Sequence, residues 1–138
     1  MFIKIFIFIK KITMIINAET VRGYCLDKKC VTESFPFDET LLVLKVCDKI
    51  FAILSLDNNF RINLKCNPEK AIKLREEYFE IIPGYHMNKK HWNTVDLKGR
   101  LKVDFIKQLI DDSYNLVVAG LPKKFKDNFN PKNSGLIN

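Results

Sequence analysis

Residues 41–66 read LLVLKVCDKIFAILSLDNNFRINLKC, and the fold is decided there. Two apolar runs, Leu41–Cys47 and Ile50–Leu56, are split by Asp48-Lys49, which is the spacing of a β-hairpin. Asp57-Asn58-Asn59 makes a second turn into Phe60–Cys66. In that third run Phe60, Ile62, Leu64 and Cys66 alternate with Arg61, Asn63 and Lys65. A period of two predicts a half-buried strand with Arg61 and Lys65 on its exposed side. The three runs together predict an antiparallel meander.

Upstream, Val31–Phe35 alternates as a further strand and stops at Pro36, and FPFDE (35–39) is a tight connection set by Pro36 and Asp38. Asn17 caps a helix running to about Lys28, weakened at Gly23 by about 1 kcal/mol relative to Ala. Downstream, Asn67-Pro68 opens a helix in the order cap, then proline, and the helix extends to about Phe79. Pro83-Gly84 ends that segment, and His91–Leu97 reads as another strand. A final helix spans Val103 to Ala119, with apolar residues at 3–4 spacing from Val103 and Ile106 to Val117. Gly120 and Pro122 close it. The order helix, strands, helix, strand, helix predicts an α+β fold: a two-layer α/β sandwich with helices packed on one face of an antiparallel sheet.

The chain has 138 residues, 47% of them apolar, enough for one domain that buries roughly two-thirds of its unfolded surface without disulfide or metal. The domain is read as 17–124, followed by a flexible tail over 125–138. With five Gly and five Pro, collagen and low-complexity disorder are excluded. No apolar run approaches the ~20 residues of a membrane span. Cys25, Cys30, Cys47 and Cys66 form no CxxC pair, so they read as reduced thiols of a cytoplasmic protein and not as metal ligands.

The formal charge of +7 invites a polyanionic partner. Its distribution matters more. Residues 1–16 (MFIKIFIFIKKITMII) carry three Lys and no acid, residues 17–82 ten basic and eleven acidic groups, and residues 83–138 ten basic and five acidic groups. The first segment, built almost wholly of Phe, Ile and Lys, reads as a doubtful extension translated from a start codon ahead of Met14. An added edge strand and a targeting segment are the rival readings.

The most unusual chemistry lies in residues 82–95, IPGYHMNKKHWNTV. Cations interleaved with aromatic planes and amides can bind phosphates, stack bases and read base edges. Asn88, Lys89, Lys90, His91, Trp92 and Asn93, joined by Lys98, Arg100 and Lys102, are therefore candidates for binding nucleic acid. The bland alternative has Trp92 in the core and the lysines merely solvated. A pocket lined by Tyr85, His86 and Trp92, serving a small molecule or a protein, is a further alternative. His86 and His91 are five residues apart, which places them on neither one helical face nor one strand face. Asp96 is the one carboxylate near them. No catalytic set, metal site or cofactor loop follows from these residues.

The strings FPFDE (35–39), INLKCNPEKAIKLREEY (62–78), PGYHMNKKHWNTVDL (83–97) and LIDDSYNLVVAGLPKK (109–124) resemble the MmcQ/YjbR-like family of small bacterial proteins. The resemblance implies a fold of the frataxin/CyaY type and a DNA-binding role through a double wing; it brings no established enzymatic reaction. The motif positions carried over are His86, Asn88, Lys89, Lys90, His91, Trp92, Asn93 and Thr94. The chain departs from its relatives at Asp112, where they often have His, and at Lys102-Val103, where Pro is common. Iron handling by analogy of fold would need an acidic ridge. The first helix offers Glu19 and Asp27 against Arg22, Lys28 and Lys29, so that analogy is poor.

Overall fold

The computed structural model describes residues 16–85 and 87–129. The first fifteen residues of the doubtful extension lie outside them, as do His86 and residues 130–138. The elements in chain order are α1 (Ala18–Leu26), β1 (Val31–Ser34), β2 (Leu41–Val46), β3 (Lys49–Ser55), β4 (Arg61–Lys65), α2 (Pro68–Glu77), β5 (Ile81–Pro83), β6 (Trp92–Asp96), α3 (Val103–Ala119) and the short α4 (Lys123–Lys126). The strands form one antiparallel sheet in the order β1-β2-β3-β4-β6-β5. β2 to β4 are the expected meander, extended at one edge by β1, the strand expected at Val31–Phe35, and α2 carries the chain past β6 to the edge before it returns.

The caps act as the sequence requires. Asn17 and Thr20 exchange hydrogen bonds in a capping box at the start of α1. Asn67 accepts from the amides of Glu69 and Lys70, with Pro68 following it in the first turn of α2. α2 ends at Glu77, before the expected limit. Phe79, expected on its apolar side, is 96% exposed in the loop beyond.

α1 packs beside β1, α2 beside β5 and β6, and α3 crosses β2, β3 and β4. All lie on one side of the sheet. Their shared core contains Leu42, Leu44, Val46, Leu54, Ile62, Leu64 and Val95 from the strands and Val21, Leu74, Ile106, Ile110 and Val117 from the helices.

The β2–β3 hairpin turns one residue earlier than expected. Val46 pairs with Lys49, so the two turn residues are Cys47 and Asp48, both at positive φ (46° and 67°). A two-residue loop with this backbone matches the twist of the flanking strands, which is why the register settles there. The register also shifts between Leu44 and Lys45, so that Ala52 pairs with Leu44 and Ile50 with Lys45. Phe51 is the extra residue, and both Phe51 and Ala52 are fully buried. The break in the ladder is filled from α3. The Ser113 hydroxyl donates to the Phe51 carbonyl at 2.5 Å and accepts the Lys65 amide at 2.8 Å.

Residues 127–129 form a turn of 3₁₀ helix, and the Phe129 ring meets Tyr114 edge-on at 6.5 Å. Part of the segment read above as a flexible tail is therefore packed.

Candidate nucleic-acid interface

Among the described residues no helix lies over the second face of the sheet. Strand alternation and cross-strand register decide which side chains meet there. Lys45 pairs with Ile50, and Lys65 stands opposite Trp92. These four residues, with Lys49 from the hairpin, Met87 from the β5–β6 loop and Leu116, Val117 and Gly120 from the end of α3, line a depression of about 440 Å³ where the open face meets that helix end. Asp48 is the single carboxylate of that depression.

A second depression of about 440 Å³ adjoins the first and shares Ile50 and Met87 with it. Its walls include Phe37 of the FPFDE connection, Ile53, Arg61, Asn63 and Tyr85. Phe37 is 66% and Tyr85 48% exposed. The Arg61 guanidinium lies over the Tyr85 ring, 4.7 Å from its centre. The loop that carries Tyr85 is fastened to the sheet by two hydrogen bonds, linked by a third between β6 and β4. The Tyr85 amide donates to the Thr94 hydroxyl (2.9 Å), that hydroxyl donates to Asn63 Oδ1 (2.5 Å), and Asn63 Nδ2 donates to the Tyr85 carbonyl (3.2 Å). The rim carboxylates are engaged in turns. Asp38 accepts from the Thr40 hydroxyl and amide, which holds its pKa below the usual carboxylate value, and Asp57 accepts the Asn59 amide.

The candidates named from sequence divide into three sets. Asn88 is exposed and shapes the loop, its Oδ1 accepting the amides of Lys90 (2.9 Å) and His91 (3.3 Å). Lys89 and Lys90 are exposed on that loop, and the Lys89 ammonium donates to the Gly84 carbonyl at 3.4 Å. His91 is half-buried, and its carbonyl accepts the Cys66 amide at 2.7 Å. Trp92 is half-buried on the open face. Asn93 points the other way. It is 3% exposed on the helix side, accepting from Arg75 Nε at 2.7 Å and donating to the Ala71 carbonyl at 3.4 Å. Lys98, Arg100 and Lys102 are exposed past the far end of β6. That five-residue strand, roughly 17 Å long, separates them from Lys89 and Lys90. The five cations of residues 89–102 therefore form two groups. His86, named for the pocket, lies outside the described residues.

Lys45, Lys49, Arg61 and Lys65 join the site only through the fold. The period-two pattern placed Arg61 and Lys65 on the exposed side, but nothing local brings Lys65 beside Trp92. The three ion pairs among the described residues all tether helices: Arg22–Glu33, Lys28–Asp111 and Lys70–Asp112. None draws on the cations of the open face. Among the described residues no group of three His, Cys, Asp or Glu converges as a metal site would require, and no helix is long and apolar enough to cross a membrane.

An antiparallel sheet covered by helices on one face, with a cationic and aromatic groove on the other, defines a small open-faced α+β protein. The chain belongs to the YjbR family, whose model matches residues 26–116. It is 39% identical over 114 residues to the uncharacterised protein YbdF of Escherichia coli O157:H7, covering 82% of this chain and 93% of YbdF. It is 36% identical over 102 residues to the uncharacterised protein YjbR of Escherichia coli K12, covering 73% and 86%. Among solved structures, the Deinococcus radiodurans protein DR2400, a DUF419 domain, superposes with a TM-score of 0.77 at 34% identity, over 85% of this chain and 91% of that one. A Pseudomonas syringae protein superposes with a TM-score of 0.65 at 31% identity, over 73% and 98%.

Proposed function

We propose that the protein binds DNA in single-stranded form along the open face of its sheet, as a cytoplasmic regulatory or accessory module. One observation carries the reading: Lys45, Lys65 and Arg61 share with Trp92, Tyr85 and Phe37 the sheet face that no described helix covers, and Lys49 joins Lys45, Lys65 and Trp92 where that face meets the end of α3. Cations that follow a backbone, beside aromatic planes that stack successive bases, are the shared chemistry of proteins that hold single strands. Lys45, Lys49 and Lys65 neutralise phosphates, and Lys89 and Lys90 add charge at the loop. Trp92 and Tyr85 receive bases. Asn93 positions β6 through Arg75 and touches no base. Lys98, Arg100 and Lys102 stand at a distance and attract the polyanion without contacting the bound segment.

Trp92 is the sole tryptophan, so its fluorescence reports the site directly. A single-stranded oligonucleotide should quench it, with log K falling against log salt by about 0.7 per phosphate contact. The double substitution Lys45→Ala/Lys65→Ala should lower that slope by about 1.4. A salt-independent signal, or a slope unchanged in the double variant, would overturn the reading.

The size of the second depression favours one alternative, since about 440 Å³ falls within the range of small-molecule sites. On that reading an anionic, planar small molecule sits against Arg61 and Tyr85. A mononucleotide that binds as tightly as the oligonucleotide, and loses affinity in Arg61→Ala, would select it.

A further inference from the structure

We propose that Cys30 and Cys47 are a redox-active pair that closes to an intramolecular disulfide under hydrogen peroxide and reopens with a dithiol reductant. β1 and β2 pair Val31 with Val46, so one step further along the register Cys30 faces Cys47. The Cys47 amide donates to the Cys30 carbonyl at 3.2 Å. Directly opposed residues of a hydrogen-bonded antiparallel pair keep their Cα atoms about 5.5 Å apart, and disulfides have their commonest Cα separation there. Both residues lie at positive φ, 63° and 46°, outside regular strand geometry.

Accessibility separates this pair from the other two cysteines. Cys30 is exposed and Cys47 half-buried, whereas Cys25 and Cys66 are 0% and 7% exposed within the core. A reagent in solution meets Cys30 first. Its thiolate attacks the O–O bond of the peroxide; the bond breaks, one oxygen passes to sulfur as a sulfenic acid, and the other leaves as water after protonation. The Cys47 sulfur then attacks the Cys30 sulfur. The S–S bond forms, the S–O bond breaks, and a second water departs. The two thiols supply both electrons and the peroxide is reduced to two waters. The bridge would clamp the hairpin turn from which Lys49 projects.

The test is peroxide treatment of the full folded chain, with thiols counted after denaturation and disulfides mapped by mass spectrometry of non-reduced peptides. The expected result is that the four thiols fall to two, that one linked peptide joins Cys30 to Cys47, and that dithiothreitol restores all four. In Cys30→Ser no bridge should form. In Cys47→Ser, Cys30 should trap a sulfenic-acid probe that the unmodified protein scarcely retains. Four surviving thiols, a bridge to Cys25 or Cys66, or Cys30 driven to sulfinic acid while Cys47 stays a free thiol would each overturn the proposal.

Discussion

Ser113 has no exposed surface, yet its hydroxyl serves two strands at once: it donates to the Phe51 carbonyl and accepts the Lys65 amide. Substitution by Ala leaves a buried donor and a buried acceptor without partners. Ser113→Ala should cost about 1–3 kcal/mol, read as a shift in urea midpoint at constant slope. Tyr24 shows residue chemistry of a different kind. Burial, and then the hydrogen bond its hydroxyl donates to Asp111, push its pKa up to about 12. Burial also raises Tyr114 to about 12, reinforced by the thiols of Cys30 and Cys47. Each folded value stands above the ordinary 10, so the stabilisation is complete below pH 10 and is lost as pH rises through about 12. Ultraviolet titration of phenolate should therefore show two late tyrosines with unfolding in the same window. Tyr24→Phe should remove one of them and lessen the alkaline loss.

β5 shows what a short element hides in sequence. It has three residues, one of them a proline, and proline is tolerated in a sheet only at an edge. Ile81 is held in the core by its pairing with Val95, a contact that local pattern does not reveal, so the segment read as the end of a helix and a turn. The strand can pass close to β6 because residue 84 is glycine. A Cβ there would stand 2.7 Å from the Trp92 Cβ and 2.9 Å from its carbonyl oxygen. Neither atom is the free end of a flexible chain. Gly84→Ala should cost about 1–3 kcal/mol by overpacking and should shift Trp92 emission, measured together by thermal melting followed in fluorescence. The adjoining loop was legible in its residue types. Its split into an outward Trp92 and an inward Asn93 became clear only with the strand's orientation.

At the scale of the molecule, one hydrophobic core joins all three long helices to the central strands. Unfolding followed by Trp92 fluorescence and by far-ultraviolet circular dichroism should therefore coincide in a single transition; two separated midpoints would show the β5–β6 region to be an independent unit. The charge of +7 also takes its meaning at this scale. Counted along the chain, it pointed to residues 89–102. Folded, those cations stand at the two ends of a rigid strand, and the groove gathers others from β2, β3 and β4.

Local pattern was enough for the helices with their caps, the three-strand meander, the strand at Val31 and the side of β4 that faces water. Each of these rests on local terms: periods of two and 3.6, turn chemistry, and proline's missing donor. Tertiary structure decided the hairpin register, the bulge at Phe51, the edge strand β5 and the company Trp92 keeps. Lys65 and Trp92 become neighbours because β4 and β6 pair across an intervening helix and edge strand. That pairing is a long-range choice made by burial of the common core, and no short window of sequence contains it.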